Sequence, residues 1–310
     1  MQIIVSHFSG IHGWKNNIAL SNKYKRNEKF LLFLHGGSMK TSNVNKIKKV
    51  LKLEREIIGV KFIHYKEQYD ENEVKEYGLR TTYCNMVKRA MEGSHFKLTK
   101  ENFFCDYGAY ALGLKKPDIS VVTGNSYAVC GLYESHSIAR KIMEEMKYLQ
   151  HEVYGVEMGP LQYMENADIV IIVTEAVQVM RVLQGYAYKF GVPKHLCTIG
   201  NQAACSDLTS KPYFNNDLNI SLMCEGARKY LKCAPGELGV AMPINQFDSV
   251  AEGIIMTVNP VANNKEKDEL LSRLDTEDEL GIIIDKDTDY GKCLQEYDDF
   301  VQRVKNGQAE

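Results

Sequence analysis

The stretch SLMCEGARKY (residues 221–230) places a cysteine where an apolar, strand-like run gives way to helix-forming residues. A similar phrase, NFFCDYGAYALGL, occupies residues 102–114. In both stretches an acidic residue follows the cysteine and a Gly-Ala pair comes shortly after, with one residue of offset. Such a junction predicts a strand followed by a helix that begins at the cysteine.

The likeness extends to whole halves of the chain. Cys84 and Cys105 have twenty residues between them, Cys205 and Cys224 have eighteen, and each pair brackets one predicted strand. We therefore predict an α/β (or α+β) fold with two pseudo-symmetric α/β halves that arose by internal duplication. Chance similarity between two unrelated α/β units is the alternative.

The remaining elements follow from hydrophobic periodicity. ADIVIIVT (167–174) predicts a strand buried on both faces, because its apolar run is continuous. DISVVTG (118–124) also predicts a strand. Helices are predicted over 133–149, over 175–191 with Gly191 at the end, and over 244–259.

Four segments are predicted along the chain. They are a leader at 1–38, a first half at 39–151, a second half at 152–262 and a charged helical tail at 263–310. The leader holds the only tryptophan and three of the eight histidines, and it ends in Gly-Gly shortly before Met39. We expect the natural start to be Met39; a genuine but loosely ordered N-terminal arm is the alternative.

Composition narrows the class of protein. The chain has 310 residues, 44% of them hydrophobic and 25% charged, with a net charge of −2. This composition is that of a globular protein. The net charge produces no electrostatic field that would favour binding to nucleic acid or to an anionic membrane. No apolar run approaches the roughly 20 residues that cross a bilayer. With no secretory signal, the eight cysteines predict a reducing, cytoplasmic setting.

The paired cysteines predict a metal site. A cysteine at a helix start meets free backbone N–H groups and the positive end of the helix dipole, which favours the thiolate. If Cys84, Cys105, Cys205 and Cys224 converge between the halves, they can hold a four-iron four-sulfur (4Fe-4S) cluster or a structural zinc. Zinc sites of the ribbon type contain a Cys-x-x-Cys motif, and its absence from this chain makes zinc the less favoured of the two. Simple burial of the thiols is the alternative.

Other residues near these cysteines are candidates for ligand binding: Arg228, Glu175, Gly108, Gly226, Tyr83 and Gln202. Arg228 is suited to an anion or to the charge of a cluster, and a surface ion pair is its alternative. Glu175 ends a predicted strand, where it either meets a ligand or caps a helix dipole. The glycines would let backbone approach a ligand closely.

The other cysteines have no partner in the proposed repeat. They are Cys130, Cys197, Cys233 and Cys293, and we interpret them as core or surface thiols. Cys233 is close enough in sequence to Cys224 to substitute for it. The chain contains no P-loop, no Gly-x-Ser-x-Gly elbow, no His-Glu-x-x-His and no Gly-x-Gly-x-x-Gly, so no catalytic motif indicates a reaction.

The segments GVKF, YCNMVKRAMEG, FFCDYGAYALGL, AACSD and SLMCEGARKY together resemble domain-of-unknown-function family 169. The likeness runs over about residues 50–260 and includes all four paired cysteines. The resemblance implies that these cysteines, with Gly108, Gly226 and Arg228, form the family's site, and it assigns no substrate.

We therefore expect an oxygen-sensitive cytoplasmic protein that binds one 4Fe-4S cluster. The cluster would serve electron transfer with a redox partner, or activation of a small anionic ligand near Arg228 and Glu175. Neither nucleic acid nor membrane is expected as a partner. A metal-free binding module with packed cysteines and a thiol-redox enzyme are the alternatives.

Overall fold

One six-stranded sheet organises the protein, and every pair of neighbouring strands in it is antiparallel. The strands are β1 (Ile58–Ile63), β2 (Phe96–Thr99), β3 (Gly155–Pro160), β4 (Ile169–Glu175), β5 (Asn219–Ser221) and β6 (Glu237–Pro243). Their order across the sheet is β2-β3-β1-β4-β6-β5. The sheet therefore consists of two sets of three strands, joined where β1 pairs with β4.

The computed structural model describes residues 43–149 and 152–258, with Lys265, Glu269 and 299–307 from the tail. The predicted leader at 1–38 and its start at Met39 lie outside the described residues, as does most of the predicted tail. Residues 299–305 are helical.

Helices cover the sheet. They are α1 (residues 43–50), α2 (Lys66–Glu71), α3 (Tyr83–Met91), α4 (Asp106–Ala111), α5 (Ile119–Val122), α6 (Asn125–Val129), α7 (His136–Glu145), α8 (Ala176–Phe190), α9 (Lys211–Asn215), α10 (Glu225–Leu231) and α11 (Ile244–Met256). A π-helix spans Ala203–Ser210, and short 3₁₀ turns span Lys100–Asn102 and Leu161–Tyr163.

The two faces of the sheet have separate cores. On one face, α1, α8 and α11 pack with Val170 and Ile172 of β4. On the other face, α3, α4, α10 and the π-helix pack with Ile169 and Ile171. Alternate residues of β4 thus enter different cores, which explains why its apolar run is continuous and confirms the buried strand predicted from it.

The predicted mixed α/β class is confirmed, and the antiparallel pairing places the chain on the α+β side of it. Hydrogen bonding assigns β3 to the first set of strands, so the boundary between the sets lies after residue 160. Neither β3 nor β6 was predicted.

The strand predicted at 118–124 is wrong. Ile119–Val122 forms helix α5, which begins a small group of helices between β2 and β3. Val121 is buried there with Tyr127 and Met143, whereas Ile119 remains 78% exposed. A β-rich composition is thus overridden by packing within a local helical cluster.

Among the described residues, no helix combines the length and the apolar character that crossing a membrane requires.

The close contact between α8 and α11 gives a stability prediction. A Cβ at Gly253 would lie 2.1 Å from the carbonyl oxygen of Gly185, so Gly253→Ala must push two helices apart. We expect its free energy of unfolding in urea to fall by about 3 kcal/mol. Gly236→Ala is the matched control, because nothing lies within 4 Å of its Cβ position. Equal stability of the two variants would contradict the packing described.

Candidate functional site

The four paired cysteines lie in or at the starts of four helices that pack against one another. Cys84 is the second residue of α3 and Cys205 the third of the π-helix, while Cys105 and Cys224 are the N-caps of α4 and α10. Helix α10 packs on α3, α3 packs on the π-helix, and the π-helix packs on α4. The prediction that helices begin at Cys105 and Cys224 is confirmed.

The thiols share one neighbourhood. Burial raises the pKa of Cys84, and negative charge on Cys224 and Cys105 raises it further. Burial likewise raises the pKa of Cys205 well above its usual value, with added repulsion from Cys84, Cys105 and Cys224. Cys205 is buried and the other three are half-buried. Four thiolates here would repel one another, so a bound cation would be needed to hold them ionised.

The backbone beside Cys224 is open on one side. The Ala227 N–H donates to the Cys224 sulfur over 3.3 Å. A Cβ at Gly226 would meet nothing within 4 Å, and Gly226 has no positive φ. Neither packing nor conformation therefore requires glycine at this position. Gly108 differs, because a Cβ there would lie 3.0 Å from the Cβ of Tyr83.

Two residues with left-handed backbone conformations lie shortly before cysteines of the set. Met223, just before Cys224, has φ of 67°, and Gln202, three residues before Cys205, has φ of 50°. For residues other than glycine, such left-handed conformations cost about 1–3 kcal/mol each and persist only where the surroundings hold them. The Met223 side chain is buried in the core on the cysteine side of the sheet. The turns are thus held in place by packing.

Tyr83 and Gln202, both predicted to bind a ligand, have protein partners. The Tyr83 hydroxyl lies 3.0 Å from Thr209 Oγ1, and burial raises its pKa. The Gln202 amide donates to the hydroxyls of Tyr127 (2.7 Å) and Tyr148 (2.9 Å). Both side chains are buried beside the cysteines and support the helices that carry them.

Arg228 also bonds to the protein itself. Its guanidinium donates to the backbone carbonyls of Leu222 (2.8 Å) and Pro235 (3.3 Å), which ties together the segments on either side of α10. Glu175 is exposed at the end of β4, where it lies opposite Glu237 of β6. The structure does not bring Arg228 and Glu175 into contact with each other.

A buried ion pair was missed by the sequence reading. Asp207 and Lys211 are at most 1% exposed, and Lys211 Nζ lies 2.7 Å from Asp207 Oδ1. Asp207 Oδ2 accepts from Ser221 Oγ (2.9 Å) and Thr198 Oγ1 (3.1 Å). Burial raises the Asp207 pKa although Lys211 opposes the shift. The one feature of the sequence that could have predicted this ion pair is the spacing, because aspartate and lysine four residues apart face each other on a helix.

The pair lies in and just after the π-helix that carries Cys205. π-Helices are rare and are frequently found at functional sites. Ser206, directly after Cys205, is fully buried, and its hydroxyl has no hydrogen-bond partner within the described part of the chain. A charged pair and an unsatisfied hydroxyl in a core are costly, which distinguishes this segment from the apolar packing around it.

Breaking this pair should be costly. Lys211→Met leaves the Asp207 carboxylate buried without its cation, so we expect a loss of about 3–5 kcal/mol in the free energy of unfolding. The double variant Asp207→Asn, Lys211→Met removes both charges and keeps an acceptor for Ser221, so it should recover part of that loss. Urea unfolding of both variants measures this, and a double variant less stable than Lys211→Met would contradict the account.

Comparison with known proteins identifies the family that the cysteine-containing motifs resemble. The model of domain-of-unknown-function family 169 (DUF169), described as "Uncharacterised ArCR", matches residues 46–253, a span that includes all four paired cysteines. The protein named "Uncharacterized protein MJ0308" of Methanocaldococcus jannaschii is 26% identical over 215 residues, or 68% of this chain and 92% of that protein. No solved structure matches the chain. The resemblance is confirmed: the chain belongs to domain-of-unknown-function family 169.

Proposed function

We propose that this protein binds a 4Fe-4S cluster through Cys84, Cys105, Cys205 and Cys224. The observation that carries the proposal is the convergence of the four thiols. They come from four helices that pack against one another, and the charges of Cys84, Cys105 and Cys224 add to burial in raising the pKa of Cys205. Cysteine thiolates are the usual ligands of such clusters.

The sequence, and not the arrangement of donors, is the ground for preferring a cluster to zinc: the chain has no Cys-x-x-Cys pair of the kind that zinc ribbons use. Within residues 43–149 and 152–258, no group of three or more His, Cys, Asp or Glu side chains is placed so that it could hold a metal ion. The support for the site is therefore the packing of the four helices that carry the cysteines. Zinc remains the alternative metal.

The backbone near Cys224 already supplies a hydrogen bond to its sulfur. The donor is the Ala227 N–H, at 3.3 Å, and a Cβ at Gly226 would meet no atom within 4 Å. Hydrogen bonds to sulfur and burial are the features by which a protein sets the reduction potential of a cluster. Here Cys205 and the surrounding core would restrict water on one side.

We also infer that the two sets of strands arose by internal duplication. Each set has its first strand beside the centre of the sheet, its third strand next and its second strand at the edge. In each set one cysteine lies in the helical segment before the second strand, and another caps the helix after it. The pseudo-equivalence β1/β4, β2/β5 and β3/β6 puts the candidate site between the halves.

A bound cluster would supply one-electron transfer to a redox partner. The chain's own residues hold the thiols, shield one side of them from water and fix the turns through Arg228 and Met223. The second expected role, activation of a small anion near Arg228 and Glu175, has less support, because Arg228 donates to backbone carbonyls. All seven cysteines of the described residues are free, which suits a reducing, cytoplasmic setting.

The direction of the pKa shifts disfavours the thiol-redox alternative. Redox-active cysteines have lowered pKa values that make the thiolate available at neutral pH. Burial instead raises the pKa of Cys84 and Cys205, so these thiols are protonated when no cation is bound. The other alternative is a metal-free binding module, in which all four cysteines only pack in the core. Metal analysis distinguishes it from a cluster-binding protein, because the module would contain no iron.

Anaerobic purification followed by iron, sulfide and zinc analysis and a visible spectrum tests the proposal. We expect a brown protein with about four iron and four sulfide per chain. Cys224→Ala and Cys84→Ala should lose most of both; alanine is used because a serine oxygen can itself bind iron. Cys130→Ala is the matched control, since Cys130 is exposed and outside the set.

A colourless, iron-free protein from anaerobic cells would refute the cluster. Stoichiometric zinc would favour the structural ion instead. Equal iron content in Cys224→Ala, Cys84→Ala and Cys130→Ala would show that iron binds elsewhere.

A further inference from the structure

Cys197 and Lys211 form a second thiol site, apart from the four paired cysteines. Lys211 Nζ donates to the Cys197 sulfur over 3.4 Å and to the Cys197 carbonyl oxygen over 3.2 Å. The same ammonium is held by Asp207 at 2.7 Å. The lysine nitrogen and the cysteine sulfur are therefore in contact, and Asp207 holds the nitrogen in place.

The backbone of Cys197 is also fixed. Its N–H donates to Asn219 Oδ1 (2.9 Å), and Asn219 Nδ2 donates back to the Cys197 carbonyl oxygen (3.0 Å). Asn219 is 1% exposed, as is Lys211, whereas Cys197 is half-buried. Cys197 is thus partly open to solvent, while Lys211 beside it is almost fully shielded.

We propose that oxidation by hydrogen peroxide joins Cys197 Sγ to Lys211 Nζ. Peroxide first converts the thiol to a sulfenic acid: the sulfur loses two electrons, the peroxide O–O bond breaks and one water is released. The Lys211 ammonium must then release one proton to solvent, which leaves a lone pair on its nitrogen. That nitrogen attacks the sulfur, an S–N bond forms and the S–O bond breaks, and the hydroxide leaves as a second water with a further proton from the nitrogen. Sulfenic acids condense with a backbone nitrogen to a sulfenamide, and the proposed step is the same reaction with the side-chain nitrogen that lies against the sulfur.

The crosslink would also change the charge beside the candidate cluster site. Lys211 loses its positive charge on forming the S–N bond, so Asp207, two residues after Cys205, is left without its cation. This consequence rests on the proposed function, whereas the crosslink does not.

Peptide mapping of the full-length wild-type protein tests the crosslink. A protease that cleaves before aspartate releases residues 168–206, with Cys197 and Cys205, and residues 207–216, with Lys211 and no cysteine. After hydrogen peroxide treatment we expect a joined pair of these peptides whose mass is their sum less two hydrogens. A disulfide cannot join them, because the second peptide has no sulfur.

Fragment spectra should place the bond at Cys197 and Lys211, and dithiothreitol should separate the peptides. Cys197→Ser is the matched variant and should give no joined pair. Oxidation of Cys130, which is exposed, is measured in the same sample to show that peroxide reacted with the protein. Oxidised Cys130 without a joined pair would overturn the proposal, as would a joined pair that persists in Cys197→Ser. Neither outcome depends on whether iron is bound.

Discussion

The pairing of β1 with β4 is the interaction on which the rest of the structure depends. It is short, with Ile58 opposite Ile171 and Val60 opposite Ile169, yet it joins the two sets of strands into one sheet. The residues at these four positions all point into the core on the cysteine side. Gly59, between them, lies so close to Met164 that a Cβ would be 2.6 Å from its sulfur. Without this pairing, the cysteine-bearing helices of the two sets would not share a face.

The energetics of that face differ from those of an ordinary core. Buried thiols with raised pKa values, two left-handed residues, an unsatisfied hydroxyl and a buried ion pair all lie within or beside a few turns of helix. Each feature costs stability unless something compensates for it. The opposite face of the sheet, under α8 and α11, is packed largely by apolar side chains and small residues. This contrast between the faces is the physical basis for our proposal that the functional site lies on the cysteine side.

Part of this arrangement could be predicted from the sequence. The apolar run of β4 and the strand-to-helix junctions at Cys105 and Cys224 are local signals, and local signals suffice for such elements. Strands β3 (GVEMGP) and β6 (ELGVAMP) were missed because their glycines and prolines are read as turns until the neighbouring strand is known. The strand expected at 118–124 failed because a local core of tyrosines and methionines decides that segment. The contact of Lys211 with both Asp207 and Cys197 depends on tertiary structure, so only the Asp-Lys spacing was visible.

The central claim is that four particular sulfurs hold one iron–sulfur cluster between the two sets of strands. A crystal structure of anaerobically purified protein, with anomalous diffraction measured at the iron edge, tests it most directly. The account predicts iron density bonded to the sulfurs of Cys84, Cys105, Cys205 and Cys224. Four free thiols with no anomalous density between them, or a single zinc ion in that position, would contradict it.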